Sequence, residues 1–341
     1  MSRHILDTII EGSYLETNEG LLFSVKGHFH PEGLIIAYLR YIPDEKGERR
    51  RDEIHFKKLY GFNETYEILR RYYPQYLNYV EELGLELQSV PIDQISKIYN
   101  PDEKLKEIMK VPKTDLEKTI SRFVSYISSE SGVPISNFGI SGSVLINLAS
   151  YSSDIDLLVY GSKASMKVYN TLKKIRKKDY WIKPYDEEMI KPIVKARWSK
   201  TNLNLEKLKR IEMNKVLHGL VENREYFIRL VKLPDEIEKA ISSKPFGRIK
   251  LRGVIQSTEE SIFTPCTYKI KDCEVEGSRN LKISELLSFR GKFTEQVQEG
   301  EEIEAKGTME RVQYLDRTID RVILGEDEDY LISLKYLETA S

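Results

Sequence analysis

Four residues in one short stretch have the types and spacing to handle a phosphate and a metal ion. They are Gly142, Ser143, Asp154 and Asp156, within FGISGSVLINLASYSSDIDLLVYG, residues 138–161. Phe138–Ile140 reads as the end of a strand, Ser141-Gly142-Ser143 as a turn, and Val144–Ala149 as the start of a helix. A helix N-terminus reached through Gly and Ser presents free N–H groups to a phosphate. Gly142 lets the backbone approach closely, and the Ser143 hydroxyl and N–H can donate to a phosphate oxygen. Asp154 and Asp156 flank Ile155 and precede the apolar run Leu157–Val159. Strand side chains alternate faces, so both carboxylates point one way while Ile155 and Leu157 enter a core. Two adjacent carboxylates repel unless a cation or a proton neutralises them. Magnesium, with its preference for carboxylate and phosphate oxygens, is the expected cation. A phosphate turn beside a paired-aspartate strand is the equipment of two-metal nucleotidyl transfer.

The stretch resembles the signature of polymerase-beta-type nucleotidyltransferases: hydrophobic, Gly, Ser, a spacer of about ten residues, then Asp-hydrophobic-Asp. The resemblance implies that Gly142 and Ser143 hold a nucleoside triphosphate and that Asp154 and Asp156 hold Mg2+ or Mn2+. It further implies transfer of a nucleoside monophosphate to an acceptor, with pyrophosphate leaving; an RNA end, a protein hydroxyl and a small molecule stay open as acceptors. The whole chain, from VKGHFHPEG through the aspartate strand to a β-rich tail, also resembles uncharacterised archaeal predicted nucleotidyltransferases.

The superfamily pattern includes a third carboxylate on a later strand, and here the sequence departs from it. In REYFIRLVKL, Arg229 stands where hydrophobic-Asp-hydrophobic is expected. Glu225 lies on the same face four residues earlier, Asp179 precedes the short run YWI, and the third acid is otherwise missing. Positioning and metal ions carry most of phosphoryl-transfer catalysis, so a missing base bears on rate and acceptor. Arg229 and Lys232 are candidates for neutralising a triphosphate, or for pairing with surface acids. The alternative function is a nucleotide- or RNA-binding protein on a nucleotidyltransferase scaffold without turnover; a scaffold that binds no nucleotide is a third reading.

The elements that must position these residues fall into three stretches. Residues 1–111 read as a β-rich unit with helical additions: short alternating runs to residue 60, a helix over Tyr66–Leu85 broken near Pro74, then an irregular segment. Residues 112–243 read as an α/β domain with a mixed sheet. Its first helix starts at a capping box, Thr114 with Glu117, and buries Leu116, Ile120, Phe123, Val124 and Ile127. Residues 244–341 read as an all-β, barrel-like domain, with the oligonucleotide-binding type as the nearest architecture and a hairpin at QEGEE. The fold class is thus α+β and multidomain.

Net charge is −1 over 341 residues, which predicts no polyanionic partner by itself. Its distribution says more. Residues 161–216 carry sixteen Lys/Arg against six Asp/Glu, whereas residues 253–341 carry eleven against nineteen. The basic 173–183 region, KKIRKK followed by Tyr180 and Trp181, is either a solvated helix end or an RNA contact. Arg49–Arg51 reads as a loop charge run, and the acidic tail fits a structural or oligomerisation role better than oligonucleotide binding. His28 and His30 share a strand face, with no third ligand at suitable spacing, and the two cysteines, Cys266 and Cys273, lack the pattern of a zinc site. Heavy Lys/Glu use with few Cys and Met leans towards a thermophile's composition. No run is long and apolar enough to span a bilayer and no secretory signal is evident, so the expected location is cytoplasmic, with no membrane partner.

Overall fold

The structure, a computed structural model, describes residues 9–278 and 281–337. It is α+β, with three sheets, and the chain divides into two compact units. One holds the chain up to Val80, Glu86–Lys183 and Leu217–Glu236; the other holds Glu81–Leu85, Pro184–Val216 and the chain from Ile237 onward.

The first unit opens with β1 (Tyr14–Thr17), β2 (Leu22–Val25), β3 (Leu34–Pro43), β4 (Arg49–Arg51) and β5 (Ile54–Lys58). The β-rich expectation up to residue 60 holds over the described residues. Beyond it the sequence misleads: the helix covers Phe62–Tyr72 and stops at Tyr73, before Pro74. The chain then forms β6 (Leu77–Val80), β7 (Leu85–Pro91) and β8 (Ile95–Tyr99). Packing on the sheet overrides the helical periodicity there, because Leu77, Val90, Ile95 and Ile98 join the core of Leu15, Phe23, Leu39 and Leu69. The segment read as irregular also holds a helix, Pro101–Lys110, with proline at its first position and Asp102 and Glu103 in its first turn.

The second sheet of this unit contains β9 (Phe138–Ile140), β10 (Ile155–Tyr160), β11 (Ile182–Lys183), β12 (His218–Val221) and β13 (Arg224–Val231), in the order β11-β12-β13-β10-β9. Only β10 and β13 pair in parallel, so the sheet is mixed as expected. The helix Asp115–Ser131 forms with the anticipated capping box, and Gly132 ends it in the left-handed conformation at φ 66°. Its five expected core residues are all buried. Phe123 meets Tyr226 of β13 at 5.2 Å between ring centroids, so the helix covers the sheet face that carries Ile155, Leu157 and Val159.

In the second unit, β14 (Ser242–Ser257), β15 (Cys266–Val275), β16 (Ile283–Ser288), β17 (Glu302–Gln313) and β18 (Thr318–Ile323) pair in the order β14-β15-β16-β18-β17. A β14–β17 ladder closes them into a ring, and β19 (Tyr330–Ser333) extends β17. The hairpin expected at QEGEE is not formed. β16 pairs with β15 and, in parallel, with β18, while β17 pairs with β14. The intervening chain instead buries Phe293 and Gln296, and Gln296 Nε2 donates to the Leu331 carbonyl at 3.0 Å. Cys266 is buried and Cys273 half-buried, and both are free thiols.

Candidate functional site

Gly142–Leu145 is a single helical turn that begins two residues earlier than the sequence suggests and stops at Ile146. Asn147 takes a left-handed φ of 57°, which ends it. Gly142 has φ 60°, and a Cβ there would lie 2.0 Å from Asp156 Oδ2. The turn is therefore pressed against the aspartate strand, and only glycine permits that approach. The backbone ties the two together as well, with Ser141 N–H donating to the Asp156 carbonyl at 2.8 Å. The Ser143 hydroxyl donates to Ser153 Oγ at 3.1 Å, which joins the turn to the residue before Asp154.

Asp154 and Asp156 sit at the start of β10, Asp154 exposed and Asp156 half-buried. Ile155 and Leu157 are fully buried on the opposite face, as the alternation predicts. The Asp156 carboxylate, and then the surrounding protein's exclusion of water, push the Asp154 carboxyl up to about 6; Lys58 opposes this and Glu225 adds to it. A carboxylate pair that resists carrying two charges fits a divalent cation, which relieves the repulsion. Among the described residues no three His, Cys, Asp or Glu side chains cluster to hold a metal. Two carboxylates completed by phosphate oxygens and water are the usual protein share of a magnesium site.

The remaining candidates are placed unequally. Ile155 pairs with Tyr226, so exposed Glu225 stands at the level of Asp154 and its charge reaches that carboxyl. Asp179 instead accepts from the Tyr126 hydroxyl at 2.7 Å, on the helix that covers the other sheet face. Lys232 follows Val231, which pairs with Tyr160 at the end of β10 away from Asp154. Arg229 lies opposite Leu158, and its Nη1 donates to Glu11 Oε1 at 2.9 Å.

Glu11 was invisible as a site residue in the sequence. It is fully buried, takes Lys26 Nζ at 3.0 Å and accepts from Gly27 N–H at 2.7 Å. Burial pushes its carboxyl up, but Lys26 and Arg229 outweigh this and hold it below the usual range. The arginine at the expected third-acid position is thus neutralised by an acid from the N-terminal segment.

The basic triplet Arg49–Arg51 is a strand, not a loop, and its residues alternate. Arg50 faces outward to Glu53. Arg49 Nη1 donates to Ser150 Oγ at 2.6 Å and Ser153 Oγ at 3.0 Å, and Arg51 donates to the Ile146 carbonyl and to Glu16. The alternation of a three-residue arginine strand was the signal that could have shown this. Buried Tyr14, Leu22, Tyr41, Phe56 and Tyr99 of the N-terminal sheet pack with Leu145, Ile146 and Leu148, so that sheet forms a wall beside the aspartates.

His28 and His30 lie in a turn after β2 and not on a strand, because Gly27 breaks the run at φ 69°. His30 Nδ1 accepts from Ile36 N–H at 3.2 Å. Burial, and then His28, lower its pKa to about 4, against a weak opposing pull from Glu11. Between pH 6.5 and 4 the unfolded chain therefore binds more protons than the native one, and stability falls as the pH is lowered through that window. Relative to wild type, His30→Asn flattens urea stability over pH 6.5 to 4, an effect of up to ~3 kcal/mol. Identical slopes in the two proteins would refute it.

Of the 173–178 run, Lys173, Lys174, Lys177 and Lys178 are exposed at a helix end, and Tyr180 is 90 % exposed. Trp181 is engaged, tilted against Tyr126 at 5.3 Å between ring centroids and under Arg122 at 4.8 Å. In the other unit a cavity of about 470 Å³ is lined by Arg248, Ile249, Lys250, Glu276 and Lys306. Its cations are already matched by acids: Arg248 with Glu326 and Asp329, Lys250 with Glu304, Lys306 with Glu328.

Fold and site together describe an α+β protein with a glycine-seated aspartate pair on a mixed sheet. The chain is similar to the uncharacterized protein MJ1086 of Methanocaldococcus jannaschii, 29% identical over 321 residues that cover 90% of this chain and 92% of that one. The expected archaeal relatedness holds, and the relative's name carries no activity. No protein-family model matches the chain, and no solved structure does. Among the described residues no helix is long and apolar enough to cross a membrane.

Proposed function

We propose that the protein is a Mg2+-dependent nucleotidyltransferase that moves a nucleoside monophosphate from a triphosphate to a hydroxyl acceptor. What carries the reading is the Gly142 turn seated on Asp156, with Asp154 beside it on the same face. Asp154 and Asp156 would hold the cation, Mg2+ or Mn2+, which when bound neutralises phosphate charge and orients the α-phosphate. Gly142 and Ser143 bring backbone N–H groups to the triphosphate. The acceptor oxygen attacks the α-phosphorus, the bond to the β-phosphate breaks, and pyrophosphate leaves. Glu225, level with Asp154, would take the hydroxyl proton. In this reading the mixed sheet is the nucleotidyltransferase core, the strand ring is of the oligonucleotide-binding type, and the setting is cytoplasmic.

A second reading, a nucleotide- or RNA-binding protein without turnover, draws on one observation. Arg229 occupies the third-acid position and is locked to Glu11, leaving exposed Glu225 alone as the further carboxylate. Calorimetry of each NTP with and without Mg2+ at pH 7.5, above the point at which Asp154 protonates, separates the readings when combined with pyrophosphate release over a pool of RNAs and cell extract. Metal-dependent NTP binding that Asp154→Asn weakens at least about 100-fold is expected, with pyrophosphate released. Binding without release favours the second reading, and no metal-dependent binding overturns both.

A further inference from the structure

Where β2 pairs with β3, Leu22 faces Tyr41 and Phe23 faces Leu39, which leaves Arg40 as the extra residue of a β-bulge. The bulge changes which way β3 presents its side chains. Leu39 enters the core of the N-terminal sheet, whereas Tyr41 packs on the other side with Tyr14, Leu145 and Ile146, beside the aspartate pair. Arg40 sits at that switch. Its side chain is half-buried and has no hydrogen-bond or ion-pair partner among the described residues, unlike Arg49, Arg51 and Arg229. Tyr41 pairs across the sheet with Lys58, at the end of β5. Lys58 is also half-buried and, among the described residues, without an ion-pair partner; its ammonium lies over the Tyr60 ring at 5.0 Å. Asp154, Asp156, Arg40 and Arg49 all lie within electrostatic reach of its ammonium.

A guanidinium withdrawn from water with nothing to bind is costly unless a ligand supplies the acceptor. The nearby aspartates do not fill that role directly. Two unspent cations on the Tyr41 side of the sheet, with Lys58 in electrostatic reach of both carboxylates and of Arg40, form a site of mixed sign. Such a site suits a metal-bound polyphosphate: oxygens to the aspartates through a cation at one end, and to Arg and Lys at the other. We propose that Arg40 and Lys58 form the seat of a polyphosphate chain, the tail of a nucleoside triphosphate held at Asp154 and Asp156. The proposal rests on the nucleotide reading above for its metal end and on the N-terminal sheet alone for its cationic end. It assigns the N-terminal sheet a share of the site: holding the phosphates that leave.

Inorganic tripolyphosphate, titrated into the full chain with EDTA present, probes the cationic end without the metal. Wild type binds it, and Arg40→Gln and Lys58→Gln each weaken binding about 10- to 100-fold, the worth of one charge-assisted hydrogen bond. Arg40→Lys and Lys58→Arg keep binding within about 10-fold of wild type. AMP with Mg2+ binds both Gln variants within about 2-fold of wild type, since it lacks the β- and γ-phosphates. Circular dichroism establishes that each variant is folded, and Lys58→Gln decides the matter alone where Arg40→Gln is not. No tripolyphosphate binding by wild type, or equal binding by wild type and Gln variants, overturns the seat. Tripolyphosphate binding lost in the Gln variants, in a protein that shows no Mg2+-dependent NTP binding, leaves the seat standing and rejects the nucleotidyltransferase reading instead.

Discussion

Glu11→Ala lowers the folding stability by about 3–5 kcal/mol, the penalty for leaving a buried charge without its partner. The Glu11 side chain is 1 % exposed and the Arg229 side chain 11 %. Removing the carboxylate strands Arg229 and also releases Lys26 and the Gly27 N–H. Arg229→Met is milder, because Glu11 keeps Lys26. The double variant Glu11→Ala/Arg229→Met is less destabilised than the sum of the two singles, since the stranded cation is gone. Urea midpoints at constant slope read these differences. A Glu11→Ala loss under about 1 kcal/mol would show that the pair is not buried as described. The pH sign follows from the same contacts. Lys26 and Arg229 hold the Glu11 carboxyl below its ordinary 4.5, so the native state binds fewer protons than the unfolded one in that range. The stabilisation is present above pH 4.5 and is lost as the pH falls below it. There is a functional consequence too. Arg229 already feels the charge of Asp156, so on the proposed reading an Arg229 freed from Glu11 turns towards the aspartates and weakens a divalent cation's hold there.

The contrast between Asp156 and Glu11 explains how much of the site could be read from the chain. Asp154 and Asp156 are legible because their neighbours enforce it: Ile155 and Leu157 must be buried, and strand alternation then fixes both carboxylates on the other face. The Thr114–Glu117 box is legible for a similar reason, being a local motif with a local hydrogen-bond pattern. Glu11 meets Arg229 across 218 residues and Arg49 meets Leu148 across 99, and Arg40 and Lys58 also come from the N-terminal sheet, tertiary packing that no local periodicity encodes. The same limit governs the fold. Residues 77–99 carry helix-like spacing in part, yet the apolar face of an existing sheet claims them as strands. The ring of β14–β18 is legible as strands and turns, but its closure by β14 and β17, and the parallel β16–β18 pair, depend on which edges meet. The QEGEE turn is good hairpin chemistry in the wrong place, because burial of Phe293 and Gln296 decides the course of that segment.

Gly142→Ala separates the geometry of the turn from the chemistry of the pair. Two penalties act at this position. One is the backbone, since φ 60° disfavours any side chain. The other is the contact: the new Cβ would stand 2.0 Å from Asp156 Oδ2 and 2.9 Å from its Cγ, so the carboxylate must swing away. Gly132→Ala isolates the first penalty, because Gly132 has φ 66° and nothing within 4 Å of the added atom. That control loses about 1–2 kcal/mol of stability. Gly142→Ala loses more, by at least ~1 kcal/mol, and divalent-metal and nucleotide affinity fall about 100-fold as the displaced Asp156 leaves Asp154 alone. Shortening the obstructing side chain restores much of the stability without restoring binding. Gly142→Ala/Asp156→Ala therefore recovers most of the loss, short of Gly132→Ala because the Asp156 Cβ stays 3.2 Å from the new atom, while remaining unable to hold the cation. Differential scanning calorimetry and Mg2+-dependent nucleotide titration on the four proteins give both readouts. Equal losses in Gly132→Ala and Gly142→Ala would mean that the carboxylate is not seated on the glycine. In that event the turn and the aspartates are neighbours by fold alone, and the phosphate and the cation have no shared geometry to meet in.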